Sequence, residues 1–250
     1  MPLVSIITAT YNSENEILET YESIKNQTIS DFEWLVTDDC SSDKTVFLLE
    51  GISKQDHRVK IYVNKYNMGA AAARNNSIKN ASGEFLAFID SDDLWIINKL
   101  EKQIEFMDAN NSSFSFTAYR LIDSNGNALN KVVDSKLRNS ISYEDMLLKK
   151  ATLGCSTVML RKDDFDDIEM PNIRTGQDYA LWLILLKSGV KADPINNILT
   201  EYRILPGSIS RNKIKKACRQ WEIYRKLERL SMVKSLYCFC FYAWRAIFRK

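Results

Sequence analysis

Histidine is nearly absent from this chain: His57 is the single copy in 250 residues. It stands in Gln55-Asp56-His57-Arg58, a polar stretch suited to an exposed turn, and no chemistry is assigned to it. Its scarcity excludes Ser-His-Asp or Cys-His machinery and any His-based metal site. A general base must therefore be a carboxylate, with Lys, Tyr or Cys as weaker choices. Cysteine is sparse too. Cys40, Cys155, Cys218, Cys238 and Cys240 are odd in number and lack zinc-type spacing, which fits buried thiols in a reducing cytosol. A secretory leader is not expected, because Met1-Pro2-Leu3-Val4 runs straight into a strand-like stretch. No large excess of either charge is present, and the net +2 argues against a nucleic-acid binder driven by bulk electrostatics. What remains, 45% hydrophobic and 26% charged, is ordinary for a globular protein, and the length suffices for one elaborated domain.

The most informative feature is Phe85-Leu86-Ala87-Phe88-Ile89 followed by Asp90-Ser91-Asp92-Asp93. Three carboxylates crowd the end of a run apolar enough to be a buried strand. Clustered negative charge there costs free energy unless something positive sits among it. A hard divalent cation that also grips a diphosphate meets that need, since Mg²⁺ and Mn²⁺ favour carboxylate oxygen and share phosphate ligands. The alternative is a polar loop in which one Asp caps the next helix.

Periodicity places strands at Leu3–Thr8, Phe32–Thr37, Val59–Val63 and Phe85–Ile89, with helices between them. Ser13 and Glu16 have capping-box spacing ahead of Ile17, Leu18, Tyr21 and Ile24, and Ser42 or Asp43 caps the next helix. An Ala-rich helix runs from Ala70 to Lys79, and another spans Lys99–Met107. Such alternation implies a parallel sheet with right-handed crossovers, whose ligands bind beyond the carboxyl ends of the strands. Asp38-Asp39 and Asp90–Asp93 both fall at such ends. Beyond residue 110 a hairpin is expected around Ser124-Asn125-Gly126-Asn127, with strands at Cys155–Arg161 and Ile198–Arg203 and an apolar helix from Gly176 to Lys187. No linker or repeat separates the halves. The reading is an α/β domain over 1–230, with a nucleotide half at about 1–110 and an acceptor half at about 111–230, then an amphipathic helix over 231–250.

Taken in order, several stretches resemble family-2 glycosyltransferases: Val4-Ser5-Ile6-Ile7 to Tyr11-Asn12, Asp38-Asp39-Cys40-Ser41-Ser42-Asp43, Asn67-Met68-Gly69 with Ala73-Arg74-Asn75, and Gly83-Glu84-Phe85 to Asp93. Gln177-Asp178-Tyr179 with Trp182, and Tyr202-Arg203 before Ser208-Ile209-Ser210, extend the likeness to roughly residues 3–212. Met170-Pro171-Asn172-Ile173-Arg174-Thr175 brings it nearest to enzymes of bacterial surface-polysaccharide assembly, the teichuronic-acid type included. The resemblance implies a GT-A fold, Rossmann-like in its first half with a mostly parallel sheet. It also implies a nucleoside-diphosphate sugar donor (a UDP-sugar favoured), Mn²⁺ or Mg²⁺, and inversion at the anomeric carbon.

It further implies roles. Asp39 binds the base with Tyr11 packed alongside, and Asp38 is the less certain of the two carboxylates. Arg74 lies near the nucleotide, where a guanidinium suits a diphosphate. Asp92 is the first choice as metal ligand, and Asp90 contacts the ribose or the metal's water shell. Asp178 takes the proton of the acceptor hydroxyl; the family often has Glu-Asp where this chain has Gln177-Asp178. A helix N-terminus favours the ionised carboxylate there. Arg203, Ser208, Ser210, Arg211 and Lys213 form a basic lid, and Arg120 and Arg174 are weaker candidates.

Val233, Leu236, Tyr237, Cys240, Trp244, Ile247 and Phe248 share one helical face near the C-terminus, with Lys234, Arg245, Arg249 and Lys250 around it. The stretch is short and charged for a membrane span, and either lies at a lipid interface or packs on protein. The resemblance also implies a saccharide acceptor, free or polyprenyl-diphosphate-linked, and with it an enzyme working in the cytoplasm at the inner face of the membrane. Two rivals are a glycoside hydrolase, disfavoured by Asp38-Asp39 and Arg74, and a non-catalytic nucleotide-sugar sensor or scaffold, disfavoured by intact Asp92 and Asp178.

Overall fold

The computed structural model describes residues 1–205 and 213–248. In chain order the first half holds β1 (Val4–Thr10), α1 (Ile17–Lys25), β2 (Phe32–Asp38), α2 (Thr45–Gln55), β3 (Val59–Val63), α3 (Ala70–Lys79), β4 (Phe85–Phe88), β5 (Leu94–Trp95) and α4 (Lys99–Asn110). The second half holds β6 (Phe114–Ile122), β7 (Ala128–Val133), α5 (Tyr143–Leu147), β8 (Val158–Arg161), α6 (Gln177–Leu186), β9 (Asp193–Arg203), α7 (Lys213–Glu222) and α8 (Met232–Phe248).

Among the described residues one sheet crosses both halves, in the order β3-β2-β1-β4-β8-β6-β9-β5, with β7 paired to β6. The first four strands are parallel, as the alternation requires. β8 then enters antiparallel to β4, β6 antiparallel to β8, and β9 runs parallel to β6. β1 and β2 are buried along their whole length, the mark of strands covered on both faces. Alternate residues feed two cores. Ile7, Leu35, Leu86 and Phe88 meet Trp182 of α6 on one face. Ile6, Trp34, Val36 and Phe85 meet residues of α1, α2 and α4 on the other.

Three local expectations changed. The Ser13–Glu16 capping box does not form: α1 starts at Ile17 with no side-chain cap. The Ser13 hydroxyl is instead 2.8 Å from the Ser91 hydroxyl, so a long-range partner in the acidic loop won over the local one. Neither Ser42 nor Asp43 caps α2: its N-cap is Lys44 with no side-chain cap, and Asp43, one residue earlier, accepts from Thr45 N–H at 2.9 Å. β9 begins at Asp193 rather than Ile198, because β6 offers a parallel edge that carries Asp193–Ile195 despite a register shift near Thr117–Ala118. The hairpin is where expected. Asp123 accepts the Asn125 and Asn127 N–H groups, and Gly126 turns the chain at φ 81°.

Gly83 fixes the close approach of the β4 entry to β1. A Cβ there would lie 2.5 Å from Ser5 N and 2.8 Å from the Val4 carbonyl carbon. Gly83→Ala should cost about 1–3 kcal/mol as backbone is forced apart. Gly51→Ala, in α2 with nothing within 4 Å, should gain about 0.5–1 kcal/mol from helix propensity. Urea denaturation of the two variants beside the wild type checks the opposite signs.

Candidate active site

The carboxyl ends of β1, β2 and β4 form one rim, because Thr10 pairs with Asp38 and Ile7 with Phe88 across parallel ladders. The Asp90–Asp93 loop leaves that rim and is fastened from every side. Asp90 N–H donates to Ser156 Oγ at 3.0 Å, and Ser156 Oγ–H donates to Asp93 Oδ2 at 2.5 Å. Thr20 Oγ1–H reaches the Ser91 and Asp93 carbonyls, both at 3.0 Å. Arg203 N–H donates to Asp93 Oδ1 at 2.9 Å, and its Nε–H to the Asp92 carbonyl at 2.8 Å.

Arg203 is therefore no part of a basic lid. Its side chain is almost wholly buried, and the remaining donors go to the Ser124 carbonyl and to Glu19. It ties β9, the acidic loop, the β6–β7 turn and α1 together. Ser208, Ser210 and Arg211, and the Lys213 side chain, lie outside the described residues. Arg120 is paired with Glu201 across β6 and β9.

The three carboxylates have different partners. Asp90 Oδ1 accepts from Arg74 Nη2 at 2.5 Å. Asp93 is fully buried against Ser156 and Arg203, and burial with its two acidic neighbours holds it well above the usual carboxylate range. Asp92 has only its own backbone N–H as a favourable bond, and burial plus the Asp90 charge push it up to about 7. Of the three, Asp92 alone has no side-chain partner among the described residues. Among the described residues no group of three His, Cys, Asp or Glu is set to hold a metal.

Arg74 reaches this loop from α3, where Ala71 and Ala73 are buried and small enough to seat the helix against the sheet. Its Nε and Nη1 are buried and have no hydrogen-bond partner among the described residues. Burial works against its charge, yet Cys155, Asp90 and Asp178 hold the guanidinium above its ordinary value. Asp178, in the first turn of α6, shares that field. Burial raises its carboxyl, against the lowering by Arg74, by the Tyr179 N–H and by Lys149. The helix N-terminus alone suggested a depressed value; desolvation outweighs it.

At the nucleotide end the picture is mixed. Tyr11 follows β1 and is 51% exposed, so it is no core aromatic. Asp39 is buried and accepts from Asn64 Nδ2 at 2.8 Å, Met68 N at 2.9 Å and Gly69 N at 2.6 Å. It shapes the loop that leads into α3, where Gly69 takes φ 93°. Asp38 is fully buried, and its carboxylate accepts the Ser41 N–H and hydroxyl, at 2.8 and 2.5 Å. Through those two bonds Asp38 holds the turn after β2. Arg174 stands exposed in the segment before α6.

Ser156, Glu19 and Thr20 are the contributors that sequence reasoning missed. Nothing in helix or strand periodicity singles out a serine in a short 3₁₀ turn (Cys155–Thr157) before β8. The carboxylate count alone carried a signal, for three acids in four residues need donors from elsewhere.

The glycosyl transferase family 2 profile matches residues 5–169. TuaG of Bacillus subtilis, named for teichuronic acid biosynthesis, is 44% identical over 246 residues, 98% of this chain and 96% of its own. The Escherichia coli UDP-Glc:alpha-D-GlcNAc-diphosphoundecaprenol beta-1,3-glucosyltransferase WfgD is 42% identical over 222 residues, 88% of this chain and 85% of its own. Among solved structures, S. aureus TarS 1–349 in complex with UDP-GlcNAc superposes at TM-score 0.71 and 24% identity, over 89% of this chain; the chain spans 64% of that one. The mannosyltransferase PcManGT from Pyrobaculum calidifontis, in complex with GDP-Man and Mn²⁺, gives TM-score 0.74 at 16% identity, over 99% of this chain and 70% of that one. These two establish likeness of fold.

The raised Asp92 carboxyl has a thermodynamic consequence. Its folded value lies above the ordinary one, so the folded state binds the extra proton, and stability falls as pH rises from the ordinary range of about 4 through about 7. In chelator, the melting temperature should drop between about pH 5 and pH 8, and Asp92→Asn should flatten that slope. An unchanged slope would mean Asp92 ionises freely.

Proposed function

The chain belongs to glycosyl transferase family 2 and has the GT-A fold; from that membership we propose that it moves a sugar from a nucleoside-diphosphate donor, a UDP-sugar, to a saccharide hydroxyl, with inversion, in bacterial cell-surface polysaccharide synthesis. The observation that carries this is the meeting of Asp90, Asp92, Arg74 and Asp178 at the carboxyl ends of a parallel sheet.

Each residue has a part in that reading. Asp39 keeps acceptor capacity on Oδ2 for a base N–H, and exposed Tyr11 covers the base. Arg74 turns its unpartnered Nε–H and Nη1–H groups to the diphosphate, where a fork of donors suits paired oxygens. Asp92, with Asp90 beside it, would hold Mn²⁺ or Mg²⁺, and the bound cation would offset charge on the leaving diphosphate. Asp178 takes the proton as the acceptor oxygen bonds to the anomeric carbon and the carbon–oxygen bond to the diphosphate breaks. Its raised value suits this, because a more basic carboxylate accepts the proton more readily. WfgD and a second E. coli relative, WfaP, 38% identical over 227 residues, are both named for a diphosphoundecaprenol-linked acceptor. They support a polyprenyl-diphosphate-linked saccharide here, and so a peripheral place on the cytoplasmic side of a membrane.

Two measurements test the reading. Nucleotide release with Mn²⁺, a panel of nucleotide sugars and a lipid-linked acceptor extract should be acceptor-dependent for one donor, and lost on chelation or in Asp92→Ala; no binding of any donor would overturn it. Asp178→Asn should keep donor affinity within about threefold and lower transfer by at least about a hundredfold, the scale of general-base loss. A variant that transfers normally would move the base elsewhere and favour a sensor or scaffold. In the wild type, the acidic limb of kcat/KM should lie above the ordinary carboxylate range.

A further inference from the structure

The α8 helix turns its apolar side outward. Ser235 and Cys238 are buried, and Phe239 packs on the core and meets Trp221 of α7 edge-on at 5.5 Å. At 3.6 residues per turn, Val233, Leu236, Tyr237, Cys240 and Trp244 fall on the opposite arc. All five are exposed, Val233 at 78%. Lys234 flanks that arc and is paired with Glu144 at 2.8 Å. Ile214, near the start of α7, is 77% exposed as well. The face expected from sequence is turned outward over residues 233–244; the side chains of Ile247 and Phe248 lie outside the described residues.

Charge follows the same division. Residues 204–250 hold twelve Lys and Arg against two Glu, whereas residues 1–203 hold twenty-two against thirty. The net +2 conceals a cationic end on an anionic body. No carboxylate occurs in α8 itself. An exposed apolar arc amid excess positive charge matches the surface of an anionic bilayer, where rings and aliphatics enter the headgroup boundary and cations meet phosphate. At 17 residues α8 is about 25 Å long, short of the roughly 30 Å hydrocarbon core. No helix among the described residues is long and apolar enough to cross a membrane. A second copy fits less well: across a two-fold axis the same patch meets itself, setting cation against cation.

We infer that the outward face of α7 and α8 docks on an anionic lipid surface and thereby sets the acceptor side of the active site at headgroup level. The link to the site is structural. Gly176, just before Gln177-Asp178, is packed by Ile223 and Arg219, whose atoms would lie 3.3 and 3.8 Å from a Cβ there. Lys216 of α7 feels the Asp178 charge. A bilayer under α7 and α8 thus lies beside the proposed base. The acceptor side rests on the proposed function; the lipid surface does not.

Flotation of the full chain with phosphatidylcholine vesicles, with and without phosphatidylglycerol, tests it. Binding should be at least about tenfold tighter on anionic vesicles and weaken with salt. Val233→Gln with Leu236→Gln should lose at least about tenfold of it, with melting temperature and UDP affinity unchanged. No binding by folded protein would overturn the inference, as would a wild-type dimer that the double substitution dissociates without changing flotation. If vesicles bind but no donor does, the transferase reading fails and the docking surface stands.

Discussion

Three carboxylates within four residues at the end of a buried strand repel one another, and the rest of the site is arranged around that repulsion. Each is treated differently. Asp90 is neutralised by Arg74, Asp93 is buried under donors from Ser156 and Arg203, and Asp92 is half-buried, without a side-chain partner among the described residues, and reluctant to ionise. A buried pair such as Arg74–Asp90 gains little net stability, but removing one partner costs about 3–5 kcal/mol. The loop is therefore held in one shape while one carboxylate stays available.

The sheet makes this possible by bringing back its second half. β8 pairs with β4, so the short turn before it delivers Ser156 under Asp90 and Asp93. β9 ends at Arg203 beside the same loop, 110 residues after Asp93. α6 packs Trp182 on Phe88 and Phe114, and its first turn presents Asp178 to Arg74. The proposed nucleotide rim and the proposed base are parts of one core. A shift of β8 or β9 would be felt at the acidic loop before any ligand arrives.

Much of this was legible before the structure. Parallel strands and their helices announced themselves by apolar runs and helical spacing, and α3 spans Ala70–Lys79 as read. The ordered motifs pointed to the family, and the profile match and close relatives agree. Legibility ended where a side chain had two uses. Ser13 looked like a local cap and serves Ser91 instead; Arg203 looked like a lid and is buried.

The sequence by itself determined the strand and helix pattern, the acidic rim and the family, because these depend on periodicity and on residue types close along the chain. Tertiary structure alone decided which carboxylate is paired, which is buried and which has no side-chain partner, and that burial rather than the helix terminus governs Asp178. It also decided that the apolar arc of α8 faces out. Those outcomes depend on desolvation and on partners 60 to 110 residues away. Neither has a period or a spacing to be read along the chain.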